Sequence, residues 1–375
     1  MRVEPPVPPD VLAAIRTALA KAGAEVVDAP ILQPLNLLLD LAGEAMRARL
    51  FVVQAEGGSE ECLRPDFTVA VATQHIARGA MQGRYAYEGA AFRASPGGDR
   101  PEQFVQLGVE LFAPPKGAVA AADAEIASLA WAAAAAGGRS DLTLWLGDVG
   151  LFAAFIEALA LPDALAARLM RVAGRPRLLN AELARAGEAA TTSGGGQLAA
   201  MLSGLSQTEA AALLEEVWAL AGVEPVGGRG PAEIAARLVR RAEASGAPAL
   251  TEAQAAAIRA FMAISEAPAT GLAKVRALAG ACKALDGALA DWDARLSGLS
   301  GIPTARLHFA PSLGHAFDYY DGLTFEVRSE TLGADRPVAS GGRYDGLLAR
   351  LGGPADAGAV GCVVRPWRAF SGGES

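Results

Sequence analysis

Hydrophobic and polar positions alternate along this chain in two different rhythms, and the rhythm changes mark its elements. Near the start, Val11, Leu12, Ile15 and Leu19 recur at helical spacing behind Asp10, which is placed to cap a helix that Gly23 stops. Residues 25–27 read as a strand ending at Pro30, and 49–55 with 61–63 as a hairpin around Gly57 and Gly58. Pro65 and Asp66 suit the opening of a helix running to about Arg78. Residues 85–112 read as two strands joined by the loop SPGGDRP, too rich in turn formers to continue either one. In the second strand Val105, Leu107, Val109 and Leu111 share one face, and Gln106, Gly108 and Glu110 share the other. That second set predicts a hollow at Gly108 flanked by an amide and a carboxylate. Gly89, Ala91 and Arg93 of the first strand offer a matching floor, although a hairpin with one solvated face fits the same pattern.

Helical spacing returns at 121–136, where Asp123 and Glu125 fall as first-turn acids. A strand follows at 141–146 and an apolar helix at 151–159. Residues 159–302 turn Ala/Leu/Arg/Glu-rich with glycine breaks, and read as a helical insertion. Strands then resume at 305–310 and 317–327, with a turn at Asp321-Gly322, and 337–342 leads into a helix over 344–351. The expected organisation is one α+β domain made of 1–158 and 303–375, interrupted by a mainly helical insertion at 159–302.

Composition narrows the chemistry. A chain of 375 residues with 52% hydrophobic content has enough apolar surface for a large core. A net charge of −8 argues against a broad nucleic-acid surface. Cys62, Cys282 and Cys362 lie far apart without a CxxC, which fits a reducing cytoplasm. His75, His308 and His315 form no HxxxH pair, so no metal site is expected. The N-terminal stretch has no apolar signal-peptide core, and the alanine run near Trp131 is too short for a bilayer, so no membrane role is expected. TSGGGQ lacks both the GKS/GKT ending and a preceding strand, and reads as a turn rather than a phosphate loop. Arg237, Arg240 and Arg241 read as a solvated helix face offset by Glu233 and Glu243.

Three separated stretches carry a resemblance. FR, a loop and QFVQLGVE resembles motif 2 of class II aminoacyl-tRNA synthetases in its histidyl form. HAFDYYDGLTFEV resembles the histidine-specific RGLDYY segment, and SGGRYDGL its AGGRYDGL partner. LRPDFT resembles the LRPEGT segment, and the helix–strand–proline start resembles motif 1, which builds the dimer interface. The resemblance implies a class II synthetase-like antiparallel sheet flanked by helices, over roughly 1–158 and 303–370. It also implies a histidine pocket made by Asp66, Thr68, Arg93, Gln106, Glu110, Tyr319 and Tyr320. Bland roles compete with three of these: Asp66 also suits a helix N-cap, and the opposite parity of Tyr319 and Tyr320 predicts that one of them only packs.

The departures fall on the nucleotide side. His315 stands where the synthetases carry an arginine beside the reacting phosphate, and its role in the pocket stays open. Ser95 replaces a motif 2 glutamate, and Glu102 reverses the charge of an ATP-contacting arginine. Motif 3 ends as GCVVRPWR, where Arg368 matches, Trp367 replaces a glutamate, and Pro366 is expected to disturb a helix. In the synthetases an anticodon-binding domain would follow, but the sequence ends at Ser375, so neither that domain nor tRNA charging is expected, nor any catalytic residue or cofactor. The pattern resembles the regulatory subunits of ATP phosphoribosyltransferase. That resemblance implies a short catalytic subunit as partner, L-histidine as feedback effector, and self-association through the motif 1-like interface. An amino-acid-activating enzyme without an anticodon domain is the alternative.

Overall fold

The computed structural model describes residues 1–54, 57–98, 100–112, 118–187, 249–280, 282–313 and 319–373, with single residues 209, 212 and 216 between them. The loop containing TSGGGQ, the arginines at 237–241 and His315 lie outside the described residues. The chain divides into two compact units, Met1–Phe155 with Phe261–Ser375, and Ile156–Ala260. Residues 261–302, assigned to the insertion by composition, therefore fall with the first unit.

The strands are β1 Glu25–Val26, β2 Leu32–Pro34, β3 Val52–Gln54, β4 Glu60–Leu63, β5 Gly83–Phe92, β6 Gln103–Phe112, β7 Leu142–Asp148, β8 Leu307–Phe309, β9 Leu323–Ser329, β10 Ala339–Arg343 and β11 Ala359–Val364. Eight of them form one sheet in the order β1-β5-β6-β11-β10-β9-β7-β8. Its pairs are antiparallel except at the two margins, where β1 runs parallel to β5 and β8 to β7. The predicted central hairpin is β5–β6, with Gly83 facing Phe112 and Phe92 facing Gln103. The Gly57-Gly58 hairpin joins β3 to β4, and β2 completes a separate three-stranded sheet.

The helices are α1 Pro9–Ala20, α2 Leu35–Ala42, α3 Thr68–Ala77, α4 Val119–Ala135, α5 Val149–Ala158, α6 Asp163–Val172, α7 Pro176–Ala184, α8 Glu252–Met262, α9 Pro268–Leu278, α10 Lys283–Gly298, α11 Asp345–Arg350 and α12 Pro366–Ala369. Two details depart from the pattern reading. Asp10 lies in the first turn of α1 behind the cap residue Pro8 and makes no side-chain cap bond. Helix α4 begins at Val119, which moves Asp123 beyond the first turn and into the interior.

Helix α4 packs on β10 and β11, between α1 and α10. Its alanines explain how it lies so close: Ala122, Ala124, Ala127, Ala130, Ala133 and Ala134 are all buried, with Ile126. Buried Asp123 is held by Arg295 of α10 (2.8 Å) and Arg343 of β10 (2.7 Å), and Arg295 also reaches Asp148 at 3.1 Å. A second core lies around α2, α3 and α11. It is built on Phe67, Tyr85, Tyr87, Phe112, Tyr319 and Tyr344, with Phe67 stacked on Tyr87 at 4.4 Å. Because of it, β6 is buried on both faces rather than solvated on one; only Val105 is exposed. In the second unit, Arg168 pairs with Glu182 at 2.9 Å, tying α6 to α7.

Candidate functional site

The LRPD segment is pinned before it reaches the site. Buried Arg64 donates Nε to the Ala90 carbonyl (2.8 Å) and Nη1 to the Ala29 carbonyl, and lies 3.9 Å over the Phe67 ring. Gly89 makes that possible: a Cβ there would come within 2.7 Å of Arg64 Nη2. Held this way, the chain turns into α3 with Asp66 and Thr68 inward. Asp66 accepts the Thr68 backbone N–H, so it serves the helix start and the site together. Its other charge partner is Arg93, 3.9 Å away. Burial raises the Asp66 pKa, and the Arg93 guanidinium opposes that rise.

A cavity of about 480 Å³ opens here. Asp66, Thr68, Arg93, Tyr319 and Tyr320 all line it, together with Tyr87. Both tyrosines of the YY pair face it, where their parity had predicted that one would only pack. They reach the same space because they precede β9 rather than lie in it, and their rings sit 4.9 Å apart. Gln106 and Glu110 do not line the cavity. Gln106 is buried, and its Oε1 has no hydrogen-bond partner among the described residues. Glu110, 1% exposed, sits behind the wall and accepts from Thr68 Oγ1 at 2.7 Å, from Tyr87 Oη at 3.4 Å and from Tyr344 Oη.

The hollow predicted at Gly108 is filled. Tyr87 lies directly across the hairpin from Gly108, and a Cβ at Gly108 would come 2.2 Å from its hydroxyl. The carboxylate has a glycine seat of its own. Gly361 of β11 faces Glu110 of β6, and a Cβ there would fall 1.5 Å from Oε2. Gly342 likewise makes room for the Tyr320 ring. The small residues of this sheet thus seat the protein's own large side chains. Tyr344 and Tyr87 belong to the site although the sequence reading gave them no role. Tyr344 stood inside the quoted GGRYDGL motif, and Tyr87 shares the parity of Gly89 and Arg93.

Burial without a facing cation pushes the Glu110 pKa up to about 7, against the hydroxyl donors that lower it; nearby Asp66 adds to the rise. The hydroxyls of Tyr87, Tyr319, Tyr320 and Tyr344 are pushed well up by the same burial and stay protonated. Arg49, Arg100, Arg365 and Arg368 also line the cavity, so it is richer in cations than the motif 2 substitutions suggested. Glu102 does not oppose them from the wall: it pairs with Arg2 at 3.3 Å and with the N-terminal amine at 3.8 Å. Pro366 does not break a helix interior, because it opens α12 at a position that needs no N–H donor. Arg365 pairs with Glu4 at 2.6 Å, lies 3.5 Å over Phe104, and is lowered to about 9 by burial and neighbouring arginines. Among the described residues no group of three or more His, Cys, Asp or Glu side chains is placed to hold a metal ion.

The sequence profile of the histidyl-tRNA synthetase family matches residues 9–227 and 231–366. A protein of Mesorhizobium japonicum named ATP phosphoribosyltransferase regulatory subunit is 36% identical over 360 residues, 92% of each chain. One of the same name from Brucella canis is 35% identical over 351 residues, 90% of each chain. The chain belongs to the family of ATP phosphoribosyltransferase regulatory subunits. The fold agrees with that membership. A crystal structure of an ATP phosphoribosyltransferase regulatory subunit/histidyl-tRNA synthetase from Bacillus halodurans is similar with a TM-score of 0.66 at 20% identity, covering 99% of this chain and 81% of that one. Histidyl-tRNA synthetase from Nostoc is similar with a TM-score of 0.59 at 15% identity, covering 96% of this chain and 70% of that one. The class II synthetase-like α+β fold expected from the motifs is the fold observed. Among the described residues no helix is long and apolar enough to cross a membrane.

Proposed function

We propose that this regulatory subunit senses L-histidine in the cavity and conveys it as feedback inhibition to a short ATP phosphoribosyltransferase catalytic subunit in the cytoplasm. The observation that carries the reading is the convergence of Asp66, Thr68, Arg93, Tyr319 and Tyr320, distant in sequence, on one cavity. Asp66 and Thr68 accept from the ligand ammonium, Arg93 pairs with its carboxylate, and the tyrosines wall the imidazole. Gln106 and Glu110 support that wall from behind, and His315 is a further candidate contact. To regulate, histidine must bind two states of the complex with unequal affinity. Self-association through the motif 1-like region is part of the proposal, supported by exposed Ile31, Leu32 and Val52 on and beside the small sheet. Mixing the chain with a short catalytic subunit should raise turnover, and added histidine should then lower it. Turnover indifferent to the chain, or a complex indifferent to histidine, refutes the corresponding half.

The cavity's arginines favour one second reading, an enzyme that activates histidine without an anticodon domain. Histidine-dependent exchange of pyrophosphate into ATP would establish it. The first reading expects no exchange and no tRNA charging.

A further inference from the structure

The cavity has a cationic end made by residues to which the histidine reading gives no role. Among the described residues six arginines and three carboxylates line the cavity, in a chain whose net charge is −8. Asp66 stands beside Arg93, and Glu326 pairs with Arg328 at 2.6 Å. Arg49 and Arg100 line the cavity without an ion pair to any described residue. The Arg49 carbonyl accepts from the Ala94 N–H at 2.9 Å, which sets it against the loop between β5 and β6, and the charges next to it are those of Arg93 and Arg100. Arg365 also lines the cavity; it is 8% exposed, and its Nε has no hydrogen-bond partner among the described residues. Guanidinium groups gathered this way, one of them buried with a donor to spare, favour a ligand that brings several anionic oxygens.

One short segment grips both sides of that end. The Arg2 carbonyl accepts from the N–H groups of Glu102 and Gln103 at 2.8 and 3.0 Å, and the Arg2 N–H donates to Glu102 Oε2 at 2.9 Å. The Arg2 side chain donates Nε to the Arg100 carbonyl at 3.0 Å and Nη2 to the Ser95 carbonyl at 3.2 Å. The loop that carries Arg100 is thereby held near both of its ends. Val3 then bridges Gln103, and the Glu4 N–H donates to the Gln103 carbonyl at 2.8 Å. Glu4 is buried, and its Oε1 accepts from Arg365 Nη2 at 2.6 Å. Arg365 lines the cavity and Glu4 does not, so the guanidinium stands between that carboxylate and the open space.

We propose that this end takes a phosphate-bearing anion between Arg49, Arg100 and Arg365, and that the segment Arg2–Glu4 sets its affinity, Arg2 by holding Arg100 in place and Glu4 by offsetting the Arg365 charge. The two residues of the strap act in opposite directions. Arg2 is a positioning residue, because it touches the loop and not the ligand. Glu4 is a built-in counter-ion whose negative charge a bound anion must face across one guanidinium. The carboxylate of Glu102, in place of a cation, has a use in this arrangement: it anchors Arg2. None of Asp66, Thr68, Tyr319 and Tyr320 takes part, so the anion end stands whether or not histidine binds.

The test titrates inorganic pyrophosphate into the full chain by calorimetry, without histidine. The wild type should bind it, with an affinity that falls as salt rises. Glu4→Gln keeps an oxygen that accepts from Arg365 and removes the charge, and should tighten binding about tenfold. Arg49→Ala removes an exposed cation and should weaken it by about tenfold, and Arg2→Ala, which frees the loop, by about threefold. A variant that merely damaged the fold could not bind more tightly, so the gain in Glu4→Gln separates charge from structure. ATP, titrated alongside, tells a nucleotide's phosphates from free pyrophosphate by which of the two binds tighter, and the Glu4→Gln gain must appear with both. No binding by the wild type, or an affinity that Glu4→Gln leaves unchanged or lowers, overturns the proposal. Binding is read without turnover, so that failure leaves both readings of the protein's function where they stand.

Discussion

Among the buried carboxylates of the described residues, two pairs are treated in opposite ways. Asp123 and Asp148 meet two guanidinium groups, Arg295 and Arg343, at 2.7–3.1 Å, so charge is matched inside the protein. Asp66 has one guanidinium, Arg93, at 3.9 Å and a backbone N–H from Thr68, whereas Glu110 faces the hydroxyls of Thr68, Tyr87 and Tyr344. The matched pair fastens α4 and α10 to the sheet and leaves nothing for a ligand to supply. The unmatched pair has spare acceptor capacity beside an open cavity. A buried charge tolerates incomplete compensation only if it can hold a proton or receive a partner, and the site has both routes.

The contrast is most sharply exposed by removing a matched cation. Arg295→Ala should destabilise the protein by about 3–5 kcal/mol in urea denaturation, because it leaves Asp148 without its cation and Asp123 with only one. A loss below about 1 kcal/mol would erase the distinction between the pairs. Next comes pH. The Glu110 carboxyl titrates near 4.5 in the unfolded chain and about 7 in the folded one, so the folded state holds the proton more tightly. Its contribution to stability is present in full below about pH 4.5 and lost as pH rises through about 7, at most about 3 kcal/mol in all. The urea midpoint of the unliganded wild type should therefore fall over that window relative to Glu110→Gln; parallel curves would show that Glu110 does not titrate there. Tyr344→Phe removes one donor from the acid and should cost about 2 kcal/mol at pH 8, where Glu110 is ionised, and less at pH 5.5. Equal costs at both values would mean that the hydroxyl does not respond to charge. Smallest is Arg16→Ala, which cuts an exposed pair with Glu88 and should change stability by less than about 1 kcal/mol.

Much of this was legible in the residues. The two periodicities located β5, β6, α1 and α4 to within a few positions, because strands and helices repeat at 2 and 3.6 residues whatever surrounds them. Asp66, Thr68 and Arg93 were placed in the site by motif, and all three line the cavity. The glycines were misread. An alternating strand shows that Gly108 is small, but not that Tyr87 fills the space, since the cross-strand register depends on how many residues the loop spends. The Glu110 seat was further out of reach, because it depends on Gly361 in a strand that pairs from far along the chain. The unit boundary at Phe261 was not legible for a similar reason. Residues 268–298 have the same composition as the insertion, and only packing reveals that α10 belongs with α4.

Strand β11 lies in the middle of the large sheet, joining β1-β5-β6 on one side to β10-β9-β7-β8 on the other. On the ribosome both halves emerge before the strand that unites them. The nascent protein must carry two unzipped inner margins until that segment arrives, which makes closure a late, long-range event. A chaperone that shields open strand edges during synthesis would act on this window.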